Sequence, residues 1–113
     1  MSDLQTARVD STDQAPMSIL GLPLVLVADP DGSSRARRAD QLEARGFRVA
    51  VARTSFEAIV KASCLVPDLI LMAASLVHDT AELISTCPMT SHIPIVRVTA
   101  GRRVPPRVFA LAR

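Results

Sequence analysis

Leu24-Val25-Leu26-Val27-Ala28-Asp29 is apolar for five residues and then turns abruptly acidic. An uninterrupted apolar run of that length, without alternation, is what a strand covered on both faces requires. The segment Leu69-Ile70-Leu71-Met72-Ala73 repeats the pattern but ends on a methyl group. If the two strands lie side by side and parallel, their carboxyl ends open onto one crevice, the place where open α/β sheets hold ligands. One end is then chemically equipped and the other is blank.

Working outward, the turn Asp29-Pro30-Asp31-Gly32 leads into a helix predicted from Ser33 or Ser34 to about Arg45, with Gly46 as its left-handed stop. Its inward candidates are Ala36, Ala39 and Leu42, while Arg35, Arg37 and Arg38 crowd the first turns, so weak docking is expected. A second strand is predicted over 47–52. Thr54-Ser55-Phe56-Glu57 fits a capping box, and Phe56, Ile59, Val60 and Cys64 then follow at three-to-four spacing, predicting a core stripe with Cys64 buried. Pro67 ends that helix, a third strand is predicted over 68–73, and a short helix around 81–86 stops at Cys87-Pro88. A fourth strand is predicted over 95–98, and a helix begins within 104–111, because Pro105 and Pro106 are tolerated only near a helix start. The alternation of strand and helix argues for βα repeats and a parallel sheet. Residues 1–21 are polar and lack a sustained period, which reads as a flexible arm, leaving 22–113 as one domain.

With 113 residues, 49% of them hydrophobic, the chain is sized for one core rather than two. A net charge of +2 gives no strong pull toward polyanions. The basic residues are almost all Arg. The groups Arg35-Arg37-Arg38 and Arg102-Arg103-Arg107-Arg113 read as solvated helix surfaces, with Arg-mediated nucleic-acid binding as the minor alternative. Three Phe, no Tyr and no Trp provide no base-stacking platform. Cys64 and Cys87 lack zinc-site spacing. No run approaches the roughly 20 apolar residues of a membrane span, and the first residues lack an export signal, so a cytoplasmic location away from membranes is expected. Ser33, Ser34 and Ser75 have no nucleophile-elbow setting, no Gly-rich phosphate cradle occurs, and His78 and His92 lie in loops without a nucleophile beside them. No enzyme and no catalytic residue is expected.

Four segments, Leu24 through Asp29, Leu42-Glu43-Ala44-Arg45-Gly46-Phe47-Arg48-Val49, Pro67 through Met72, and Ile93-Pro94-Ile95-Val96-Arg97-Val98-Thr99-Ala100, occur in the order and spacing of a known family. Over 24–113 the chain resembles the receiver domain of bacterial two-component response regulators. The resemblance implies an open parallel sheet of the flavodoxin-like type, without counterparts here for that family's fifth strand and last helix. In the family, an aspartate closing the third strand accepts a phosphoryl group from a histidine kinase. Two acids after the first strand bind magnesium, and a Thr or Ser ends the fourth strand. A divalent cation and fixed positive charge are needed because the transferred group carries dispersed negative charge.

Carried over residue by residue, Asp29 matches the first acid, whereas Pro30 falls on the second. Asp31, one position further, leaves Asp29 and Asp31 as a residual acidic pocket. Ala73 falls on the phosphoacceptor position and Thr99 on the switch hydroxyl. Asp68 is a structural position of the family, and Asp79 a loop acid. No cofactor is expected and magnesium binding is not expected, Asp29 being the one candidate metal ligand. The competing reading of Asp29 is a turn cap that accepts from the backbone N–H of Asp31 or Gly32. The implied function is a degenerate receiver that cannot be phosphorylated at Ala73 and acts by contact with a histidine kinase or an output protein. A decayed, inactive fragment is the alternative. An exposed fourth-strand edge would favour a homodimer.

Overall fold

A computed structural model describes residues 22–99 and 103–111. Its sheet has four parallel strands, β1 (Leu24–Ala28), β2 (Arg48–Ala52), β3 (Leu69–Ala73) and β4 (Ile95–Val98), in the order β2-β1-β3-β4. Every residue of β1 and β3 is buried, because both strands are central and both faces are covered. That is the physical origin of their unbroken apolar runs. Ala28 pairs with Met72, so Asp29 and Ala73 leave the sheet side by side.

The helices are α1 (Gly32–Ala44), α2 (Ser55–Leu65), α3 (Val77–Thr86) and α4 (Pro106–Leu111), with a 3-10 turn at Ala74–Leu76 leading into α3. Alternate strand residues feed two cores. On one face Val25, Val27, Leu69, Leu71, Val96 and Val98 meet Leu42 of α1 together with Phe47, Val104 and Val108. On the other, Leu26, Ala28, Ile70 and Met72 meet Ala58 and Ala62 of α2, Ile84 of α3, and Ile93. The described residues hold no fifth strand, and α4 packs on the α1 face.

Two helix faces differ from their sequence reading. The inner stripe of α1 is Ser34, Arg38 and Leu42, not Ala36, Ala39 and Leu42, and Ala36 is exposed. Arg38 is only 1% exposed. A guanidinium on an apolar stem goes inward when acceptors wait at the end of the burial path, and Arg38 therefore departs from the solvated surface expected of its group, whereas Arg37 is exposed as expected. In α2, Phe56 is 76% exposed; Val60 and Cys64 also face outward, while Ala58 and Ala62 are buried. Both stripes have helical period, and the small one lets the helix sit close on the sheet. Of the predicted stripe, Ile59 packs against the core, whereas Phe56, Val60 and Cys64 are exposed.

Capping follows the local chemistry. Asp31, rather than a serine, caps α1, its Oδ2 accepting from Ser34 N–H at 3.0 Å. Gly46 ends the turn after α1 at φ 89°, where a side chain would be strained. Thr54 Oγ1 accepts from Glu57 N–H at 3.1 Å, and Glu57 Oε1 accepts from Arg53 N–H at 2.8 Å, one residue before the N-cap. The third helix starts four residues earlier than the sequence predicts, because the 3-10 turn feeds it directly. Asp68 has the structural role its position implied: Oδ2 accepts from Leu24 N–H at 2.8 Å and joins the lower ends of β1 and β3.

Candidate functional site

The crevice lies where β1, β3 and β4 end. Asp29 follows β1 and is 3% exposed. Its backbone N–H donates to Ala52 O at 2.9 Å, and its carbonyl accepts from Arg35 Nη1 at 2.8 Å, so the main chain is fixed on both sides. Its Oδ1 accepts from Asp31 N–H at 2.9 Å. That contact is the turn-capping role proposed from the sequence.

Its other oxygen has a partner that sequence reasoning missed. Arg38 Nη1 lies 2.5 Å from Asp29 Oδ2, with both side chains buried. Arg38 Nη2 donates to Thr99 O at 2.6 Å, while among the described residues buried Nε has no partner. The guanidinium thus spans the crevice from the end of β1 to the end of β4. A divalent cation reaching Asp29 Oδ2 would have to displace this group, since two cations sharing one oxygen at such distances repel strongly.

The remaining positions add little to a cation site. Pro30 is exposed and has no carboxylate. Asp31 is exposed, and its carboxylate is committed to the start of α1, where the hydrogen bonds from Ser34 hold its pKa below the ordinary value. Ala73 is 5% exposed and offers only its methyl. Thr99 contributes its carbonyl to Arg38; among the described residues its hydroxyl makes no hydrogen bond. His78 and His92 are exposed, and the described residues contain no cluster of three metal-ligating side chains. Ala100, Gly101, Arg102, Arg113, the arm over 1–21 and the side chain of Asp79 lie outside the described residues. The signal for Arg38 was present in the sequence as its place between Ser34 and Leu42, four residues from each.

No protein-family model and no curated protein matches the chain. Solved structures do. The chain is similar to the N-terminal domain of a response regulator receiver protein from Methanoculleus marisnigri JR1, at 28% identity and a TM-score of 0.66, covering 76% of this chain and 72% of that one. It is similar in fold to the chemotaxis response regulator CheY4 of Vibrio cholerae, at 20% identity and a TM-score of 0.65, over 80% and 77% of the two chains. The non-phosphorylated HemR receiver domain of Leptospira biflexa aligns at 25% identity and a TM-score of 0.57, over 79% and 75%.

Proposed function

We propose that this chain, a receiver domain by fold, is a pseudo-receiver: a response-regulator-like module that acts through protein contact and takes no phosphoryl group at residue 73. One observation carries the reading. Where receiver chemistry needs a nucleophilic carboxylate beside a bound cation, β3 ends in the methyl of Ala73, and the neighbouring Asp29 is spent on Arg38. Carbon without a lone pair cannot attack phosphorus. A guanidinium supplies positive charge and N–H donors, but it is not a Lewis acid that can hold a carboxylate and a phosphoryl oxygen in one coordination shell, as a divalent cation does.

The apolar framework is retained around this blank site, with β1 and β3 fully buried. A kept framework with lost chemistry supports function through surfaces, toward a histidine kinase or an output protein. Incubation of the whole chain with acetyl phosphate and magnesium, read by intact mass and by acid-labile phosphate, is expected to give no adduct. Stoichiometric acid-labile labelling overturns the proposal.

A further inference from the structure

We infer that Arg38 and Gln41 of α1, with Arg45 at its C-cap, form a rail that locks Thr99 and residues 103–111 against the helix, holding the module in one conformation without any ligand. The inference deepens the pseudo-receiver reading and rests on it. The three side chains stand at i, i+3 and i+7, two on the helix and the third at its C-cap. Each grips a different part of the following chain. Arg38 Nη2 donates to Thr99 O at 2.6 Å, Gln41 Oε1 accepts from Val104 N–H at 3.1 Å, and the Arg45 guanidinium lies 4.3 Å from the centre of the Phe109 ring. Phe109 also stacks on Phe47 at 5.8 Å, and Val104 and Val108 enter the core beside Leu42.

Arg38 ties this rail to the site. Its Nη1 is anchored on Asp29, whose own turn is fixed by Asp31 and Arg35. Thr99 can leave only if a buried guanidinium N–H loses its acceptor, and among the described residues Nε already has none. The planar fork of arginine can serve two acceptors just past the ends of different strands at once, which a lysine ammonium at the same place would not reproduce. Thr99 is therefore tied to Asp29 through Arg38, while Gln41 and Arg45 hold Val104 and Phe109 from the same side. A fixed internal cation takes the part that a bound ion or a transferred group would otherwise play.

The test is amide hydrogen exchange by NMR on the full chain. In Arg38→Lys, which keeps a positive charge near Asp29 but gives up the two-acceptor bridge, the Val104 and Val108 amides are expected to exchange about tenfold faster or more, with Leu26 and Leu71 in the sheet unchanged. Equal exchange at Val104 and Val108, or the same acceleration at all four amides, overturns the rail. Gln41→Leu leaves the crevice untouched and serves should Arg38→Lys fail to fold. It is expected to accelerate Val104 alone by a similar factor, and an unchanged Val104 overturns the rail. Phosphoryl labelling is a separate readout, so an adduct would sink the functional reading while the exchange data judged the rail.

Discussion

The Asp29–Arg38 pair makes a quantitative prediction, because removing one member differs sharply from removing both. Arg38→Met leaves a carboxylate that is 3% exposed with the Asp31 N–H as its remaining side-chain partner. Breaking a buried pair on one side costs about 3–5 kcal/mol. Asp29→Leu leaves the guanidinium with Thr99 O as its one acceptor among the described residues, at a similar cost of about 3–5 kcal/mol. The double variant buries no charge. What it loses is the pair of hydrogen bonds to Asp31 N–H and Thr99 O, roughly 1 kcal/mol each. Its net cost is then about 2 kcal/mol, less than either single change, with a coupling of about 4 kcal/mol or more. Against the roughly 5–15 kcal/mol that holds a domain together, either single variant comes near the limit of folding. Urea unfolding followed by far-ultraviolet circular dichroism is the suitable assay, since the chain has no Trp or Tyr to report by fluorescence. A double variant as unstable as the two single changes added together would refute the reasoning.

Ala73→Asp is expected to remain unlabelled by acetyl phosphate and magnesium, because Arg38 still holds Asp29 and Pro30 still supplies no carboxylate; acid-labile phosphate on that variant would show that the cation site survives. Phe56→Ser is expected to change stability by less than about 0.5 kcal/mol, whereas Leu42→Ala costs about 2–5 kcal/mol, and comparable losses in the two unfolding midpoints would contradict the assignment of faces. Asp31 and Glu57 both have depressed pKa values, from Ser34 at one helix start and from Arg53 N–H and Lys61 at the other. Their folded values lie below their unfolded ones, so the stability they add is complete above the ordinary carboxylate range near pH 4 and is lost as pH falls through the folded values. The urea midpoint is expected to fall as the pH is lowered below the ordinary carboxylate range near pH 4, and Asp31→Asn, which still caps, to flatten that drop; an identical pH profile in the variant would exclude Asp31 as a contributor.

The strands were legible because their chemistry is local. β1 and β3 carry five apolar residues each, and burial on both faces leaves no other pattern available. Gly46 and the Thr54 cap were legible for the same reason, each being decided by its own few residues. Helix orientation was not, because it depends on what lies opposite. The Phe56 stripe and the Ala58 stripe of α2 have the same period, and only the close approach of the sheet selects the smaller one. Arg38 was hidden for a related reason. An arginine in a run of arginines looks like solvent-facing charge until the ends of β1 and β4 bring Asp29 and Thr99 to one point, and they are separated by the whole sheet in sequence. Ala73 and Pro30, by contrast, could be read directly as positions without a carboxylate, since an absent group needs no partner to be recognised.

The strand order also splits the domain into two halves that must find each other during folding. Leu24 pairs with Arg48 within one βαβ unit, and Ile70 with Ile95 within a second, while the Val25–Leu69 pairing that joins them spans about twice as much chain. Loop-closure entropy makes that joining the slowest contact to establish. Its two ends are riveted by charged side chains: Asp68 holds Leu24 at the bottom of the seam, and at the top Arg38 of the first half holds Thr99 of the second. Neither rivet can close before the halves meet, so both act on how slowly the halves part, and loss of either should show first as faster unfolding rather than slower folding.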